Sequence, residues 1–143
     1  MSLPCAVLDT NVVLDWFVFR DPRVSALAQA IQGRRIAWLG CEATRAELAH
    51  VLRHANLAGR QPDIEQVLTS TDGLMTQVPT PGPLPATRLR CSDPDDQVFV
   101  DLALQQRARW LVSRDRAVLK LARKAAPRGL LILRPEDWVA PQP

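Results

Sequence analysis

The sequence has no apolar run near the ~20 residues needed to span a bilayer, and its first residues lack the basic n-region, apolar h-region and cleavage site of a secretion signal. The expectation is therefore a cytoplasmic chain with no membrane association. Cysteine is scarce too. Three residues, an odd number without metal-type spacing, argue against a disulfide scaffold and fit a reducing compartment. Lysine occurs only at 120 and 124, and there is no internal repeat. What is present is a chain of 143 residues, 47% hydrophobic, with a formal net charge of +3. That length suggests one domain with a sizeable core, and that apolar fraction excludes a disordered chain. The cations are nearly all Arg, whose planar fork suits phosphate, although a GC-rich genome also favours Arg. Mild basicity permits nucleic-acid binding without establishing it.

Short apolar runs alternate with helical patterns. Residues 5–8 read as a buried strand. Asp21-Pro22 reads as a helix start, with Val24, Leu27, Ala28 and Ile31 on one face and Gly33 at the end. Residues 36–39 form a second strand, and 42–54 a helix with Leu48, Val51 and Leu52 inward. A further helix follows Pro62, and Val78 marks a brief strand. Residues 79–88 hold too many prolines for regular structure. Pro94-Asp95-Asp96 opens a helix carrying Phe99, Leu102, Ala103 and Gln106. Strands at 110–112 and 130–133 flank a helix at 116–126, and residues 135–143 read as a tail. This alternation predicts a parallel sheet covered on both faces, whose sites form beyond the carboxyl ends of its strands. Asp9 and Asp115 both follow strands and fall on that edge.

Four places supply acids: Asp9 in "CAVLDTN", Glu47 in "TRAELAHVL", the group Asp93, Asp95 and Asp96 in "CSDPDDQVF", and Asp115 in "LVSRDRAVL". Each has a plain reading. Asp9 caps a turn, Asp96 and Asp115 cap helices, and Glu47 is a solvated helix residue beside an Arg. If they converge, the carboxylates repel and raise one another's pKa. A hard cation such as Mg²⁺ or Mn²⁺ would neutralise them. Such an ion lowers the pKa of a bound water and stabilises charge on a phosphodiester.

The stretches "AVLDTNVVL", the Glu47 helix, "CSDPDDQVFVDLALQQRARWLVSRD" and "GLLILRPEDW" together resemble the PIN domain. The group they most resemble is the toxin components of bacterial toxin–antitoxin systems. The resemblance covers nearly the whole chain, and the C-x-D-P-x-D block with its following helix, strand and "LVSRD" is its most specific part. It implies one domain over 1–143, a three-layer Rossmann-like α/β fold, and a sheet of five short parallel strands in the order 3-2-1-4-5. It implies a ribonuclease dependent on Mg²⁺ or Mn²⁺ that cuts single-stranded RNA internally. Asp9, Asp96 and Asp115 would hold the metal, with Glu47 as a further ligand. Asn11 and Ser113 match supporting polar positions, and Asp93 matches an acid of less certain role. Arg45 and Arg114 are weak candidates for RNA contact. An antitoxin and a second copy of the chain are the protein partners the family suggests. One departure stands out. Gln97 occupies a position that is commonly acidic in the family.

Other signals carry less. His50 and His54 at i, i+4 could bind zinc, but no third ligand has matching spacing. Cys5, Cys41 and Cys91 read as small buried hydrophobes, and Trp38 and Trp110 as core. Trp16, Phe17 and Phe19 could stack on bases, but packing, including a partner contact, is the plainer role. Two rival functions are a PIN scaffold that binds RNA or protein without cutting, and a haloacid-dehalogenase-type phosphatase. The phosphatase needs a second Asp two positions after the first, where this chain has Asn11.

Overall fold

A computed structural model describes residues 2–82, 85 and 89–142. Its five strands are β1 (Cys5–Leu8), β2 (Ala37–Gly40), β3 (Met75–Gln77), β4 (Trp110–Val112) and β5 (Leu131–Leu133). They form one parallel sheet in the order β3-β2-β1-β4-β5, as the resemblance implied. The helices are α1 (Thr10–Phe17), α2 (Ser25–Gln32), α3 (Glu42–His54), α4 (Ile64–Leu74), α5 (Gln97–Gln105), α6 (Arg116–Leu119) and α7 (Ala122–Ala125).

Strand residues alternate between the two faces of the sheet. Ala6, Leu8, Trp38, Trp110 and Val112 point into a cluster closed by α1–α4, with Val12, Leu27, Ile31, Leu48 and Leu68 among its members. Val7, Leu39 and Leu111 point the other way, onto Phe99, Leu102, Val118 and Leu121 of the α5–α7 side. Both faces are dry, which is why the strands read as continuous apolar runs rather than alternating ones. Trp38 and Trp110 are core residues, each 3% exposed.

Several details differ from the sequence expectation. The third strand is Met75–Gln77, and Val78 follows it, its N–H bonded to Gly40 O at 2.8 Å. A Cβ at Gly40, at the end of β2, would lie 1.9 Å from Met75 Sδ, so the Met75 side chain packs into the space the glycine leaves. The helix expected at 116–126 is broken at Lys120–Leu121 into α6 and α7. Of the cysteines only Cys41 is buried, while Cys5 and Cys91 are partly exposed. The expected tail is tied down: Pro135–Asp137 form a 3₁₀ turn and Trp138, 3% exposed, sets its ring edge-on to Trp110 at 5.5 Å. Within the proline-rich segment, residues 79–82 and 85 lack regular structure, and 83, 84 and 86–88 lie outside the described residues.

Candidate metal centre

The site is built where β1 and β4 end side by side. The Asp9 N–H bonds Val112 O at 2.9 Å, and the Ser113 N–H bonds Leu133 O at 3.0 Å, so the first residues past each strand are still held by the ladder. Asp9 then caps α1, its Oδ1 accepting from Thr10 N at 2.7 Å. Its Oδ2 accepts from Ser113 Oγ at 2.6 Å. Ser113 is fully buried, and its Oγ also accepts the Asp115 N–H at 2.9 Å. One hydroxyl therefore sets the spacing of two acids from different strands. Asp115 caps α6 through Ala117 N at 2.8 Å. The capping roles are real for both residues, and in each case the cap also aims the carboxylate at the edge.

Asp96 behaves otherwise. Its side chain makes no cap to α5; the cap of the preceding 3₁₀ turn (Pro94–Asp96) comes from Asp93, which accepts from Asp95 N at 3.0 Å. Asp96 is 7% exposed, and its Oδ2 is buried with no hydrogen-bond partner. Oxygens of Asp93, Asp96 and Asp115 lie within 4.8 Å of one another. Burial, then the negative charge of Asp9 and a hydrogen bond shared with Asp115, push the Asp96 carboxyl up to about 8. Burial raises Asp9 to about 6, against the lowering effect of its Ser113 and Thr10 hydrogen bonds, with Glu47 and Asp115 adding to the rise. Glu47, on α3, is half-buried and accepts a hydrogen bond from Thr10 Oγ1. Its pKa is raised by burial, with Asp95 and Asp93 contributing. Among the described residues, no Arg pairs with it.

An all-carboxylate donor set that includes a buried, unpartnered oxygen fits a hard divalent cation. Among the described residues, the group of three or more potential ligands is Asp93, Asp96 and Asp115. Asp93 thus stands closer to the centre than its sequence ranking implied, and Asp9 couples to the same group through Ser113 and through charge. The His50 and His54 rings lie 4.5 Å apart, tilted, on an exposed face, with no third ligand among the described residues.

The two arginines expected to meet RNA have other partners. Arg45 pairs with Asp72 of α4 at 2.8 and 2.9 Å. Arg114 pairs with Asp15 of α1 and, at 2.8 Å, with Glu136, with Asp21 3.9 Å away. Its backbone N–H is held by Asn11 Oδ1 at 3.2 Å. Asn11 and Arg114 thus fix the β4–α6 turn that carries Asp115. Asp15 lies one helical turn after Asn11, the one sequence signal that could have found it. Thr10 links Asp9 to Glu47, its N–H donating to Asp9 Oδ1 and its Oγ1 to the Glu47 carboxylate. Gln97 also has a structural reason: its amide donates to Leu89 O and Asp101 Oδ1, each at 2.8 Å, and accepts from Cys91 N at 2.7 Å. An acid there could not donate to Leu89 and would repel Asp101. Trp16 and Phe17 stack at 4.5 Å and pack, with Phe19, against the core.

The family model described as PIN domain matches residues 5–117. The chain is a PIN-domain protein. The match takes in all four principal acids of the edge. No curated protein matches the sequence. Among solved structures, a chain of VapBC2 from Rickettsia felis, bound to a DNA fragment from its promoter, is similar at a TM-score of 0.60. The likeness covers 91% of this PIN-domain chain and 97% of that one, at 14% identity, a level that speaks to the fold alone.

Proposed function

We propose that this PIN-domain protein is an endoribonuclease dependent on Mg²⁺ or Mn²⁺ that cuts single-stranded RNA, and that it acts in the cytoplasm as the toxin of a toxin–antitoxin pair. The observation that carries the reading is the buried, unpartnered Asp96 oxygen inside a group of carboxylates at the carboxyl edge of the sheet. The fold likeness to a chain of a VapBC2 complex supports an antitoxin as protein partner. Among the described residues, no helix is long and apolar enough to cross a membrane.

Asp9, Asp96 and Asp115 would hold the cation, with Asp93 and Glu47 as further acids. A bound divalent cation supplies Lewis acidity for phosphodiester hydrolysis. The chain's own contribution is placement. Ser113 fixes Asp9 relative to Asp115, Thr10 holds Glu47, and Asn11 holds the turn before Asp115. Because the Asp96 pKa is raised to about 8, Asp96 retains its proton near neutrality until a cation displaces it, while Asp9, raised to about 6, loses its proton just below neutrality. Activity should therefore rise with pH from 6 to 8 at limiting metal.

The test is cleavage of a labelled RNA pool with and without Mg²⁺. Cleavage that EDTA stops, and that Asp9→Asn abolishes while the fold is kept, supports the proposal. Full activity in Asp9→Asn would sink the assignment, and binding without cleavage would favour a non-catalytic scaffold.

A further inference from the structure

The chain's net positive charge has a definite place. Of its 18 Lys and Arg, five fall in residues 116–128, a stretch without Asp or Glu; the rest of the chain holds 13 against all 15 acids. Those five, Arg116, Lys120, Arg123, Lys124 and Arg128, are all exposed. Their spacing of four, three, one and four residues keeps them on one side of a helical path. The opposite side, Val118, Leu121 and Ala125, is buried in the core. Among the described residues, no acid pairs with Arg116, Lys120, Arg123 or Lys124. Elsewhere, Arg23, Arg45 and Arg114 have carboxylate partners, Arg34 bonds backbone carbonyls, and Arg60 and Arg109 lie over aromatic rings.

The ridge starts at the candidate metal centre. Arg116 directly follows Asp115, whose carboxylate belongs to the acidic group and caps α6. It runs along α6, α7 and the 3₁₀ turn Ala126–Arg128 and ends beside an open hollow of about 620 Å³ lined by Leu104, Arg107, Ala108, Arg128 and Gly129. A solvated helix face normally mixes both signs. Four exposed cations without an acidic partner among the described residues, leading out of an anionic centre, suit a polyanion whose scissile bond must be brought to carboxylates that would repel it.

We propose that the α6–α7 ridge is the track for the phosphate backbone of a single-stranded RNA, on the side of the centre leading away from Asp115. This rests on the ribonuclease reading and adds the substrate's path to it. Contacts from Lys and Arg to phosphate give affinity without sequence preference, so the ridge sets how tightly RNA binds rather than where it is cut.

The test is equilibrium binding of a fluorescent single-stranded oligoribonucleotide in EDTA, where no cleavage occurs. Wild type is compared with Lys120→Gln/Arg123→Gln/Lys124→Gln, whose fold is checked by melting temperature. The variant should bind at least about tenfold more weakly at 100 mM salt and lose about 2 from the slope of log K against log salt, at ~0.7 per phosphate contact. Hydrolysis of a dinucleotide, too short to reach the ridge, should be unchanged. Equal affinity and slope in wild type and variant would overturn the proposal, as would a polyglutamate peptide binding as tightly as RNA. Ridge-dependent binding by a protein that cuts no RNA with any divalent cation would uphold the ridge and refute the nuclease.

Discussion

Replacing Asp96 by Asn should make the cation-free protein more stable, by an amount that grows with pH. Asp96 shares a space with Asp93 and Asp115 in which oxygens lie within 4.8 Å. Two unit charges at that distance repel by about 3 kcal/mol at an effective dielectric of about 20. The folded protein avoids this by keeping Asp96 protonated up to about pH 8, whereas in the unfolded chain the group ionises near ~4. A raised folded pKa means the folded state holds the extra proton between these values. Wild-type stability therefore falls as pH rises through the window. Asn mimics the protonated acid, can still donate to Asp115, and does not titrate. The gap between Asp96→Asn and wild type should open from about pH 5 and level off above pH 8. Its size should be about 1–3 kcal/mol, or about 3–9 °C in melting temperature for a chain of this length. The assay is thermal melting in EDTA at pH 5, 6, 7, 8 and 9. Adding Mn²⁺ should reverse the order at high pH, since a ligand at 100 times its Kd stabilises by about 2.7 kcal/mol and the variant binds it poorly. A gap that is constant across the pH range, or one of opposite sign in EDTA, would refute the reasoning.

Further outcomes concern the groups around the acids. Ser113→Ala strands Asp9 Oδ2 and the Asp115 N–H, and should cost about 1–3 kcal/mol in urea denaturation and about 10–100-fold in metal affinity. Gln97→Glu, although it restores the family's commoner acid, should destabilise by about 1–3 kcal/mol through the lost bond to Leu89 O and the new charge beside Asp101; tighter metal binding in that variant would contradict the structural role of Gln97. Trp138→Ala should lose about 3–5 kcal/mol on denaturation, because the ring is buried against Trp110. Arg45→Ala, which breaks an exposed pair with Asp72, should change stability by at most about 1 kcal/mol and leave RNA cleavage rates intact.

The sequence was most informative where a local rule coincided with the final fold. The runs 5–8 and 110–112 are apolar on both sides because both faces of the sheet are covered, and each ends at the acid that the edge requires. The α3 limits were legible because its apolar periodicity is complete. What could not be read depended on contacts between distant positions. Arg45 and Arg114 looked like free cations, and only the packing of α3 on α4 and of α1 beside the β4–α6 turn shows their acidic partners. Asp96 allowed both a cap and a ligand reading, and only the fold decides between them: Asp93 caps the 3₁₀ turn, Asp96 makes no side-chain cap, and its Oδ2 is buried without a partner. Trp138 sits in tail-like sequence just after Pro135, and its burial depends on Trp110, 28 residues earlier.

The central claim is that the carboxylates at the β1–β4 edge bind a divalent cation and that this binding drives RNA cleavage. Its most direct test is a Mn²⁺ titration in which bound metal and single-turnover cleavage of a labelled single-stranded RNA are recorded on the same samples, for wild type and Asp96→Asn. The account predicts that cleavage by wild type follows Mn²⁺ occupancy and that the variant loses both together. Cleavage by wild type that does not depend on Mn²⁺ occupancy, or undiminished metal binding and cleavage in Asp96→Asn, would contradict it.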